Sequence, residues 1–158
     1  MRDADDHRPW DPTNPKLRVL LECPASSSPT LVAAAVERMG VEVRVCEGPA
    51  ARGGCDLIDD GSCTLVNGAD VVVNMLSADD PQDLEVLEAV TGERRPPAVV
   101  VELTRPKLER VPAARRARIE ERATVVTTPV SGDELLEGIT AALERASKGT
   151  PWWGDGSP

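Results

Sequence analysis

From residue 16 onward, apolar positions fall into five short runs separated by segments with helical spacing. KLRVLLEC (16–23) is nearly continuously apolar and predicts a strand. TLVAAAVERMG (30–40) predicts an Ala-rich helix stopped at Gly40. VEVRVCEG (41–48) alternates apolar and polar residues, which places it near a sheet edge, whereas ADVVVNML (69–76) is apolar enough to be central. PARGGCDLIDDGS, between those two strands, reads as a glycine-rich loop, with CTLVNG adding one or two helical turns.

Beyond it, SADDPQDLEVLEAVTG (77–92) predicts a helix capped by Asp79 or Asp80, with Pro81 in its first turn. PPAVVVELT (96–104) and ATVVTTPV (123–130) are the fourth and fifth strands; Pro112 delays the helix between them. SGDELLEGITAALERAS (131–147) carries one apolar stripe through Leu135, Leu136, Ile139, Ala142, Leu143 and Ala146 and predicts an amphipathic helix.

Strand and helix alternate five times with short connections, the signature of parallel crossover units. The expectation is an α/β fold: a doubly wound five-stranded parallel sheet, flavodoxin-like, in order 2-1-3-4-5. Residues 16–147 form the domain, 1–15 a flexible N-terminal tail and 148–158 a C-terminal tail. In such a sheet the ligand crevice lies beyond the carboxyl ends of the strands. That rule gathers Glu22, Cys23, Asn74, Met75, Thr104 and Thr128 around one rim.

The pattern resembles the receiver domain of two-component response regulators. VVTTPVSGDELLEGITAAL resembles the fifth strand, the Lys-Pro step and the last helix of a receiver, and RVLLEC, GADVVVNML and AVVVELT resemble its earlier strands. The resemblance implies an acidic pair holding Mg²⁺ after the first strand, but Glu22 and Cys23 stand there. It implies a phospho-accepting Asp after the third strand, where Asn74 and Met75 stand. Thr104 fits the expected hydroxyl position, and Thr128, before Pro129, replaces the expected lysine. The implied reading is a degenerate receiver-like regulatory domain that acts through a protein partner or a homodimer, without phosphotransfer and without a cofactor.

Composition adjusts this picture in three ways. The chain has no Phe or Tyr, and its three tryptophans are Trp10, Trp152 and Trp153, so the core must be aliphatic. Net charge is -9, which argues against nucleic acid or an anionic membrane as a partner. No apolar run approaches the roughly 18 residues of a membrane span, and the polar start has no signal-peptide character, so the expected location is cytoplasmic. Charge is also uneven: residues 53–93 hold ten acids and no Lys or Arg, while 94–122 hold nine Lys and Arg against four acids. By resemblance, Arg115, Arg116 and Arg118 mark a partner surface; a solvated charged helix is the plainer alternative. Trp152 and Trp153 are expected to pack back on the domain or to anchor to something else.

The cysteines offer a different chemistry. Cys23, Cys46, Cys55 and Cys63 are all expected at the carboxyl-end side of the sheet, separated by 22, 8 and 7 residues. A four-thiolate site for zinc or an iron–sulfur cluster is one reading, although no CxxC occurs. A reversible disulfide, most simply Cys55–Cys63, is another. The third is that Cys23 and Cys46 are small core residues and the loop thiols are incidental. Other chemistry finds less support. His7, the single imidazole, lies in the expected tail, and neither ECPASSSP nor GPARGG has the following Lys-Ser/Thr of a phosphate loop. Asp56, Asp59 and Asp60 do not follow a Ca²⁺-loop pattern, and Arg52 reads as a solvated loop arginine.

Overall fold

The computed structural model describes residues 7–76, 80–128 and 131–148, with side chains described to residue 146. Five strands form one parallel sheet in the order β2-β1-β3-β4-β5, as the alternation predicts. In chain order these are β1 (Arg18–Glu22), β2 (Glu42–Cys46), β3 (Val71–Asn74), β4 (Ala98–Thr104) and β5 (Thr124–Thr128). The helices are α1 (Pro29–Glu37), α2 (Pro49–Arg52), α3 (Asp56–Asp60), α4 (Thr64–Gly68), α5 (Pro81–Thr91), α6 (Arg105–Arg110), α7 (Ala113–Arg122) and α8 (Gly132–Lys148).

Strand alternation divides the core into two layers. Val19, Leu21, Val71, Val73 and Val100 face α1 and α8, where Val36, Leu135 and Ile139 meet them. Leu20, Val72, Val99 and Val101 face the other way, toward Leu57, Leu65, Leu87 and Ile119. The buried residues of both layers are mainly Val and Leu, as expected for a sheet covered on both faces, and one aromatic ring, Trp10, packs half-buried against the second. Asp80 caps α5 by accepting from the N–H groups of Gln82 and Asp83, with Pro81 in the first turn. Pro112 splits the fourth connection into α6 and α7, because a proline there would break a single continuous helix.

Two expectations are corrected. The glycine-rich stretch after β2 is not a loop: it folds into two short helices, α2 and α3, closed by Gly53 and Gly61 in left-handed conformations, while α4 supplies the helical turns expected of CTLVNG. Buried Leu57, Leu65 and Val66 pull these turns onto the core, a signal that glycine content masked in the sequence. The supposed N-terminal tail likewise docks on the domain from residue 7. Trp10 donates its indole N–H to the Leu65 carbonyl at 3.0 Å. It also lies 5.3 Å beneath the Arg44 guanidinium, a cation–π contact. Gly68 permits this approach, since a Cβ there would come within 2.4 Å of the indole.

This strap solves a problem set by β2. Being an edge strand with alternating residues, it buries Val43 and Val45 on one face and turns Glu42 and Arg44 to the other. There Arg44 pairs with Glu42 at 2.9 Å and donates to the carbonyls of Arg8 and Pro9. The Asp11 N–H donates to Glu42. The strap therefore covers a polar stripe that would otherwise be open and pairs most of it, leaving Glu42 Oε2 buried without a hydrogen-bond partner among the described residues. Asp79, Pro129 and the Trp152–Trp153 segment lie outside the described residues.

Candidate functional site

The carboxyl ends of the strands form a rim, but the six residues expected there do not make one pocket. Glu22 and Asn74 are paired across β1 and β3, and both are buried. The Asn74 side-chain amide donates to Glu22 Oε1 at 3.1 Å. Burial pushes the Glu22 carboxyl up to about 7; the Asn74 bond opposes this and the nearby Asp83 charge adds slightly to it. Near neutral pH, then, the acid is shared between its charged and neutral forms.

Cys23 follows Val19 and Leu21 onto the α1/α8 side of the sheet, where it is fully buried. Burial, and secondarily Glu102 and Glu47, push its thiol up to about 11. Met75, Thr104 and Thr128 line a separate cavity between the ends of β3, β4 and β5. Thr104 also caps α6, accepting from the Lys107 N–H at 3.4 Å.

Two charged residues of that cavity were not anticipated: Glu102 and Lys107 line it as well. Burial raises the Glu102 carboxyl above its ordinary range. Lys107, from α6, lines it together with Thr128 at the end of β5. Its signal in the sequence was only its place three residues after Thr104, in a segment too broken by proline to position.

A receiver-type Mg²⁺ site requires several hard oxygen ligands converging on one point. Here one carboxylate is half neutralised by burial and tied to an amide, and the neighbouring thiol faces the opposite layer. The donor set does not fit the ion.

The thiols divide in the same way. Cys46, Cys55 and Cys63 pack against the core layer opposite Cys23, so the four sulfurs share no site. Among the described residues no group of three or more His, Cys, Asp or Glu is arranged to hold a metal ion, and none of the four cysteines is in a disulfide. Yet Cys46, Cys55 and Cys63 line one cavity at the β2 end of the rim, with Glu22, Arg52 and His7. His7 reaches it because the strap carries the chain up to the rim, a placement invisible without the docking of Trp10.

Arg115, Arg116 and Arg118 sit on the exposed side of α7. Arg115 and Arg118 lie 3.9 and 3.8 Å from Glu88 of α5, and Arg116 lies 3.3 Å from Glu120. Arg115 and Arg118 thus lean toward α5, Arg116 pairs within α7, and the basic run is partly neutralised. The exposed apolar side chains Leu31 and Leu136 belong to α1 and α8, which cover the opposite face of the sheet. Among the described residues, no helix is long and apolar enough to cross a membrane.

No protein-family profile matches the chain, and no curated protein sequence does. Solved structures do match. The chain is similar to a response regulator receiver domain protein from Clostridium thermocellum at 19% identity and a TM-score of 0.59, covering 83% of this chain and 97% of that one. A receiver domain protein from Bacillus halodurans matches at 18% identity and a TM-score of 0.52, with coverage of 83% and 97%. The signal receiver domain of a putative Luxo repressor protein from Vibrio parahaemolyticus matches at 15% identity and a TM-score of 0.56, with coverage of 84% and 93%. The domain therefore has the receiver fold; at such identities the likeness speaks of fold and not of activity.

Proposed function

We infer that this receiver-fold domain is a regulatory, non-catalytic module that works through protein contacts and without phosphotransfer. The observation supporting this most strongly is the Glu22–Asn74 pair. The position expected to accept a phosphoryl group holds a buried amide hydrogen-bonded to the remaining acid. An amide cannot form an acyl phosphate, and the Glu22 carboxylate beside it does not by itself supply the several hard oxygen ligands a divalent ion needs. The reading assigns no resident cofactor.

The contact surface we assign is the exposed side of α7, with Arg115, Arg116 and Arg118 facing a protein partner or a second copy of the chain. Arginine suits such a role because its planar fork pairs with carboxylates, and the Glu88 and Glu120 pairs are exposed enough to exchange at small cost.

Incubation with acetyl phosphate and Mg²⁺, followed by intact-mass analysis, tests the first part. The expected mass is unchanged. A phosphoryl adduct that is lost on mild base treatment would overturn the reading.

A further inference from the structure

The cavity at the β2 end of the rim brings together three thiols that the receiver-like reading leaves unused. Cys46 enters from a strand, where its carbonyl accepts from the Cys23 N–H at 2.9 Å and the parallel ladder fixes its backbone. Cys55 and Cys63 enter from the connection and are equivalent to each other. Each immediately precedes a short helix, with φ/ψ of -139°/119° and -134°/122° respectively. Each is half-buried against the same core layer, and each is followed two residues later by a buried leucine, Leu57 or Leu65.

We propose that Cys55 and Cys63 are an oxidisable thiol pair, converted to an intramolecular disulfide by hydroperoxides. Four observations carry this. Both side chains line one cavity, and they are close enough for the charge of one to act on the other. They are joined by one short helix, α3, closed by the left-handed Gly61, a connection that can adjust to disulfide geometry more readily than a strand can. Cys46, held by the sheet, has no such freedom. Cys23 is excluded because it lies in the opposite layer.

The chemistry balances with the peroxide as oxidant. The Cys63 sulfur attacks the peroxide oxygen, the O–O bond breaks, and an alcohol (or water) leaves, giving a sulfenic acid. The Cys55 sulfur then attacks Cys63 Sγ, the S–O bond breaks, water leaves, and the S–S bond forms. The sulfurs together lose two electrons, the peroxide gains them, and both thiol protons end in the alcohol and water. Burial holds the Cys55 thiol above the ordinary range, with the Ile58 and Leu57 N–H groups acting the other way, and the same two steps balance equally with the two sulfurs exchanged. The ring would enclose α3, which packs against α5, so oxidation would fix the wall of the rim beside Glu22.

The test uses the full chain, reduced and then exposed to hydrogen peroxide. The expected result is loss of two of the four thiols without dimer formation. Cleavage before Asp56, Asp59 and Asp60 separates the two cysteines, so unreduced peptide mapping should find Cys55 linked to Cys63. C46S should keep the link, and C55S should leave a dimedone-reactive sulfenic acid on Cys63. The rate should rise as pH is raised through the thiol range. Four surviving thiols, a link through Cys46 or Cys23, or linkage only between molecules would overturn the proposal. Mapping of the unsubstituted chain stands even if a variant fails to fold.

Discussion

The β4–β5–α8 part of the molecule and the β2–β3 connection answer to different constraints. In the first, register and packing follow from simple alternation: Val99 and Val101 face one layer, Val100 the other, and Ile139 and Ala142 of α8 close over the latter. In the second, an expected loop and an expected tail together build a folded wall. Its unusual side chains are His7, Trp10, Cys55 and Cys63. The regular part preserves the receiver shape. The paired thiols, which the resemblance does not imply, gather where the regular pattern stops.

Substitutions can probe this division. The largest effect is expected in the regular part: Ile139→Ala should lower the unfolding free energy by about 4 kcal/mol, read by denaturant titration. A loss near 1 kcal/mol would mean that α8 is not the rigid cover described. Next comes Glu22→Gln, which keeps an acceptor for Asn74 and removes the charge. Burial raises this carboxyl from an ordinary value near 4.5 to about 7. The folded state therefore binds the extra proton, and the associated stability is present in full below about pH 4.5 and lost as pH rises through 7. At pH 8 the variant should exceed the parent by up to about 3 kcal/mol, while at pH 4 the two should coincide. Equal stability at both pH values would place water or a cation beside the acid.

Trp10→Ala asks whether the strap belongs to the fold. The indole is only half-buried, so about 2 kcal/mol is expected, with faster reaction of Cys46, Cys55 and Cys63 toward a thiol reagent and no change for buried Cys23. Unchanged thiol reactivity would separate the strap from the cavity. The smallest effect is Asp80→Ala, which removes one helix cap and should cost about 1 kcal/mol in thermal or denaturant unfolding.

The sequence made the sheet legible because a parallel sheet writes itself as apolar runs: strand order, the central place of β3 and the edge position of β2 all followed. It made the rim legible as a set of strand ends but not as a set of pockets. Residues one apart on a strand point to opposite layers, so Glu22 and Cys23, adjacent in sequence, end up in different surroundings. What it concealed depended on long-range contact. Leu57 and Leu65 turn a glycine-rich stretch into helices only because a core lies beneath them. His7 reaches the thiols only because Trp10 and Arg44 anchor the strap.

The central claim is that the receiver shape survives here without its phosphotransfer chemistry. It is tested most directly by ¹H–¹⁵N spectra of the labelled chain titrated with Mg²⁺ and beryllofluoride, which mimics an acyl phosphate. The expected result is no saturable shift at Glu22, Asn74, Thr104 or Thr128. Saturable, Mg²⁺-dependent shifts at those residues, spreading to β5 and α7, would contradict the account.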